Sequence, residues 1–197
     1  MKKLIAILLT MVMTLSLATA FATDSKTSDD VAAVVDIAPA AEKTASSAPA
    51  AVSNLVITII ENDQQAFELE KIAEFVKTAP VVEYFPAEAQ EKIENKDSEL
   101  TELTGLLVSG YTSAMGDVEV IFRFDTAFDP EQKVVALVGL YDSTVIDENT
   151  TADWEVVSNV EVLDNGDVKI LFPADLLAKL NVAPAAVIAI LATPIAQ

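Results

Sequence analysis

From Leu103 onward the apolar residues of this chain recur with a period of two, in short runs separated by turn residues. In DVEVIFRFD, residues 117–125, Val118, Val120, Phe122 and Phe124 fall on one side, with Glu119, Arg123 and Asp125 on the other. That alternation predicts a half-buried strand. KVVALVGLY (133–141) and AAVIAILAT (185–193) are apolar on both faces and are expected inside a sheet. WEVV and NVEVL lead to Asn165-Gly166, a type I′ hairpin signal, after which DVKILF sets Val168, Ile170 and Phe172 on one side. Upstream, LVITII (55–60) is dominated by β-branched residues and reads as a strand. NDQQAFELEKIAEFVKT changes the period: Asn62 can cap a helix, Leu69, Ile72, Ala73 and Val76 share one face, and Glu70, Lys71, Glu74 and Lys77 lie elsewhere.

Strands at intervals of ten or so residues predict a mainly β chain of α+β class. The expected architecture is an antiparallel β-sandwich with short helices at strand–helix corners. At fold level this looks like the immunoglobulin-like modules common on bacterial surface proteins, without their hallmark cysteine pair. The last strong strand, 185–193, has no hairpin partner after it. Either LVITII completes the sheet, or an edge stays open to another chain.

Two stretches repeat: YFPAEAQEKI, residues 84–93, and LFPADLLAKL, residues 171–180. In both, a phenylalanine that ends an apolar strand precedes a proline, which suits the first helical position because its missing N–H costs nothing there. Glu88 and Asp175 then face the positive end of a helix dipole, with Lys92 and Lys179 four residues on for an i,i+4 pair. Leu176, Leu177 and Leu180 make a core stripe, whereas Ala89, Gln90 and Glu91 leave the first helix mostly wet. Every shared residue has a local structural task, so the repeat reads as one joint used twice rather than as a paired-carboxylate active site.

The ends and the charge place the protein. MKKLIAILLTMVMTLSLATA (1–20) carries two lysines, an apolar run and a small-x-small site, the form of a bacterial Sec-type export signal. Cleavage is expected after Ala20 or after Ala22, and a secreted, extracellular protein follows. Residues 21–53, rich in Ala, Ser, Thr and Pro and poor in large side chains, read as a disordered low-complexity tether. Residues 54–197 are expected to form one β-rich domain. With no cysteine, that domain depends on its core alone. Losing Lys2 and Lys3 with the signal leaves ten basic residues against 31 acidic ones. Such a field opposes nucleic acid and anionic lipid, so no nucleic-acid partner and no membrane insertion after signal removal are expected.

Candidate chemistry is sparse. The absence of histidine and cysteine removes the usual triads, dyads and zinc sites, and the five glycines form no phosphate loop. Carboxylates alone would serve a glycoside hydrolase, but 31 of them make any pair uninformative. The most distinctive loop, YDSTVIDENTTADW (141–154), sets Asp142, Asp147, Glu148 and Asp153 between Tyr141 and the single tryptophan, Trp154. Its oxygens suit calcium in kind but lack the ordered spacing of a calcium loop, so a solvated loop is preferred and no cofactor is expected. Tyr141 and Trp154 offer a platform for a sugar or peptide if exposed; core packing is the preferred reading for a lone Trp. The sequence therefore points to a non-enzymatic extracellular binding or adhesion-type module for a glycan or protein. A self-assembling structural subunit of a surface layer or filament, associating through a free strand edge, is the alternative. A carboxylate-dependent glycosidase comes last.

Overall fold

The computed structural model describes residues 32–40, 52–93, 97–147, 149–157 and 159–194. The export signal, most of the expected tether and Glu148 lie outside the described residues. Among the described residues the chain is mainly β, with two antiparallel sheets and three helices. Its strands are β1 (Ala33–Pro39), β2 (Val56–Ile60), β3 (Glu99–Ser109), β4 (Val118–Arg123), β5 (Val134–Tyr141), β6 (Asp153–Val157), β7 (Val160–Val162), β8 (Val168–Phe172) and β9 (Ala185–Ala192). The helices are α1 (Asp63–Phe75), α2 (Ala87–Lys92) and α3 (Ala174–Leu180), with 3-10 turns at Val81–Tyr84 and Ser113–Met115.

One sheet has the order β1-β4-β8-β7 and the other β2-β3-β9-β5-β6. The strand with no successor is thus the middle of its sheet: β9 sits between β3 and β5, which is why it is apolar on both faces. LVITII pairs with β3 of its own chain, Thr58 opposite Leu107. Alternation decides what faces inward. Val118, Val120 and Phe122 of β4 and Val168, Ile170 and Phe172 of β8 meet Leu106, Val108, Ala136, Val138, Ile188 and Ile190 of the other sheet in one buried cluster. Leu176, Leu177 and Leu180 of α3 join that cluster.

A second cluster covers the far face of the five-stranded sheet. There Leu103, Leu137, Val187, Ala189 and Leu191 pack beneath Ile72 of α1, Val81, Val82, Phe85 and Ala89. Asn62 caps α1 as its sequence predicts, accepting from Gln65 N–H at 2.7 Å. The buried face of α1 is rotated from the expected one, however. Gln64, Glu68 and Ile72 are buried while Val76 is exposed, because two polar residues one helical turn apart take positions toward the sheet.

Three further expectations are corrected. The stretch read as a tether contains β1, whose Val34 and Ile37 pack on the inter-sheet cluster while the strand pairs with β4. Three large aliphatic residues in seven, Val34, Val35 and Ile37, suffice once a waiting sheet edge supplies the hydrogen bonds. The Asn165-Gly166 turn does close the β7–β8 hairpin, but only Gly166 has positive φ, at 83°. Gly166 N–H donates to Leu163 O at 2.8 Å and Leu163 N–H to Asp167 O at 2.9 Å, a type I turn followed by a glycine bulge. The corners shift by one: Pro86 and Pro173 precede the first helical residue as caps. Phe85 closes a 3-10 turn rather than a strand, and Ala89 is buried. Lys179 pairs with Glu155, not Asp175, and the side chain of Lys92 lies outside the described residues.

The hairpin is held by the only arginine. Arg123 Nε and Nη2 donate to the two carboxylate oxygens of Asp167, each at 3.0 Å, and Asn165 Nδ2 adds a third bond at 2.8 Å. Asp167 is nearly buried, so its carboxylate depends on these donors. Asp167→Ala is expected to cost about 1.5–3 kcal/mol, the range for hydrogen bonds to a charged group. Urea unfolding of the variant beside the parent checks this.

Candidate functional site

Two places combine polar groups with an unusual setting, and only one is open. The closed one lies under α1. Glu68 is fully buried, with Lys71 Nζ 3.2 Å from Oε1 and the Tyr84 hydroxyl donating to Oε2. Lys71 also reaches Thr150 O at 3.4 Å, and Gln64 Nε2 reaches Ser143 O at 3.4 Å. These bonds tie α1 to the 141–154 loop.

Tyr141, 2 % exposed, completes the group from β5. Its hydroxyl is near enough to Glu68 to feel the carboxylate, yet no acceptor meets hydrogen-bond geometry and it is left without a partner among the described residues. Both tyrosine hydroxyls are pushed far above the usual tyrosine range. Burial is the main cause for each; for Tyr84 the hydrogen bond to Glu68 comes next, and for Tyr141 the charge of Glu68 does. A carboxylate with both oxygens occupied and no exposure has no room for a substrate. The cluster is a latch.

The loop residues singled out from sequence do not converge. Tyr141 points into this latch, and Trp154 is half-buried with its ring edge-on to Phe85, centroids 5.0 Å apart. They form no exposed platform. Asp142 and Asp153 are exposed. Asp147 is used by its own turn, its Oδ1 accepting Asn149 N–H at 2.8 Å while its N–H donates to Thr150 Oγ1 at 2.7 Å. Among the described residues no three acidic side chains are grouped to hold a metal ion.

The open place is the outer face of the four-stranded sheet. Helices pack on the five-stranded sheet and at the end of the inter-sheet cluster, whereas among the described residues this face carries no helical layer. Because Val118, Val120, Phe122, Val168, Ile170 and Phe172 point inward, Glu119, Ile121, Lys169 and Leu171 point outward. The register sets Glu119 opposite Leu171 and Ile121 opposite Lys169, so apolar and charged residues alternate both along and across the strands. Lys169 in turn faces Glu161 of β7 and pairs with it. That hydrogen bond is the main reason the Lys169 ammonium is held above the usual lysine range, with the charges of Glu161 and Glu119 adding to it. On the other side, Ala38 lies opposite Glu119 and Asp36 opposite Ile121.

A groove of about 280 Å³ runs here, lined by Glu119, Asn159, Val160, Glu161, Lys169 and Leu171. Its floor is rigid, with Leu171 N–H donating to Asn159 O at 2.9 Å. The residues carry no nucleophile with an adjacent base. The face offers apolar contact and charge to a ligand.

Sequence reasoning missed this face, although a signal was present. Ile121 and Leu171 are apolar residues at positions where the alternation calls for polar ones. The chain matches no family model, no curated protein and no solved structure.

Proposed function

We propose that the chain is a secreted, non-enzymatic binding or adhesion-type module, built on a β-sandwich of immunoglobulin-like layout, which recognises an extracellular partner through the outer face of its four-stranded sheet. The observation carrying this reading is the outer face of β4, β7 and β8, where half-buried Leu171 lines a groove with Glu119, Glu161 and Lys169, and half-buried Ile121 stands beside it opposite Lys169. Non-enzymatic action is supported by the contrast with Glu68, the most buried carboxylate, whose oxygens are both engaged.

The mature protein, immobilised, is expected to retain a component of the extracellular fraction, and Leu171→Asp is expected to lose it while Asp142→Asn keeps it. Circular dichroism establishes that both variants fold. Hydrolysis of a polysaccharide panel by the protein would overturn the reading. A polymer in size-exclusion chromatography that Val56→Lys disperses would favour self-assembly through β2, where Val56 and Leu107 are both about half exposed.

A further inference from the structure

Resting on that reading of the outer face, we propose that the groove over β4, β7 and β8 receives a cationic protein segment, its apolar side chains seated on Ile121 and Leu171 and its lysines or arginines facing Glu119, Glu161 and Asp36. Charge and shape both select this partner. The face sets three carboxylates, Asp36, Glu119 and Glu161, against two cations, Lys169, which Glu161 engages, and Arg123, which Asp167 engages. Behind it stands a chain with 31 acidic and 12 basic residues, whose field draws cations toward any open surface and repels anionic lipid, nucleic acid and acidic glycan.

A neutral sugar is disfavoured for a different reason. Sugar rings are held on aromatic faces, and the aromatic residues of these strands, Phe122 and Phe172, are buried on the inner side. What remains is apolar and aliphatic. Ile121 and Leu171 lie diagonally on adjacent strands, a spacing of roughly 5–8 Å that two side chains of one extended segment can span. Because Glu119 and Ile121 lie two residues apart on one strand, an extended partner must carry apolar and basic side chains at i and i+2, on the same face.

The probe is a peptide of repeating Val-Thr-Lys-Thr, which when extended sets valine and lysine on one face, offered to the full mature chain beside its valine–glutamate counterpart and oligolysine. The valine–lysine peptide is expected to bind, with amide NMR shifts concentrated at Glu119, Ile121, Lys169 and Leu171. Glu119→Lys combined with Glu161→Lys should weaken it about tenfold or more, chiefly through association. The binding should fade at about 1 M salt, where the screening length is roughly 3 Å. Oligolysine, lacking the apolar contacts, should bind more weakly. Equal binding of the valine–glutamate peptide, or shifts spread over the 141–154 loop instead of the groove, would overturn the proposal. The extracellular fraction separates the two readings: retention by parent and double reversal alike leaves the module standing and removes the cationic partner, whereas retention by neither removes both.

Discussion

Phe172→Ala is expected to cost about 3–5 kcal/mol of folding stability, the range for removing a buried aromatic ring. Phe172 has no exposed surface and packs with Phe122 at 6.1 Å between ring centroids, beneath Leu176 and Leu177 of α3. Phe85, at the corresponding place in the repeat, is equally hidden but belongs to the other cluster, between Tyr84 at 5.4 Å and Trp154 at 5.0 Å. Phe85→Ala should cost a similar amount. Because the two rings lie in separate cores, the losses should add, and a domain with a typical stability of about 5–15 kcal/mol is expected to be largely unfolded by the double variant. Glu88→Gln and Asp175→Asn, made in the same joints, should each stay within about 0.5 kcal/mol of the parent. Denaturant unfolding of the five variants beside the parent measures all of this. If the acids cost as much as the rings, the repeat is more than a joint.

The strands were legible because their alternation serves one dominant demand, a shared core. Val118, Val120 and Phe122 read inward from sequence and are inward. The same demand hid the candidate site. Ile121 interrupts the wet side of β4, and a single apolar residue on a half-exposed face is too common to notice until β8 sets Leu171 beside it. Pairing of β4 with β8 is a fact of topology, and one strand's pattern does not contain it. The Glu68 latch was hidden in another way. Gln64, Glu68 and Ile72 keep helical spacing, but polar residues at the first two positions carry no signal of burial in a sequence. They are tolerated inside because Tyr84, Lys71 and the carbonyls of the 141–154 loop provide partners from distant parts of the chain. β1 escaped because a short strand in a low-complexity stretch acquires its stability from the edge it joins.

Stability should fall steeply above pH 10, and the tyrosines should set the slope. A tyrosine held protonated in the fold but free to ionise once unfolded contributes stability that is complete below about pH 10 and is lost as pH rises, since the unfolded chain then binds fewer protons. Tyr84 and Tyr141 are both shifted upward in this way, and Tyr111 is raised as well, by burial first and then by Asp117 and Asp175. Tyr84 and Tyr141, the two shifted furthest, should each remove about 1.4 kcal/mol at one pH unit above the ordinary tyrosine value. Lysines lose their ion pairs in the same range, Lys169 and Lys179 among them, so the tyrosine share is read as a difference between variants. Tyr141→Phe isolates it. Among the described residues the buried Tyr141 hydroxyl has no partner in hydrogen-bond geometry, so at pH 7 its removal should leave stability unchanged or raise it. At pH 11 the variant should exceed the parent by about 1.4 kcal/mol beyond any difference at pH 7. Tyr84→Phe should behave oppositely at neutral pH, losing about 1–3 kcal/mol because the buried Glu68 gives up a donor, while sharing the shallower alkaline slope. Thermal melts at pH 7 to 11 distinguish these cases. Parent and Tyr141→Phe curves that run parallel throughout would mean that water reaches the Tyr141 hydroxyl and that the latch under α1 is open.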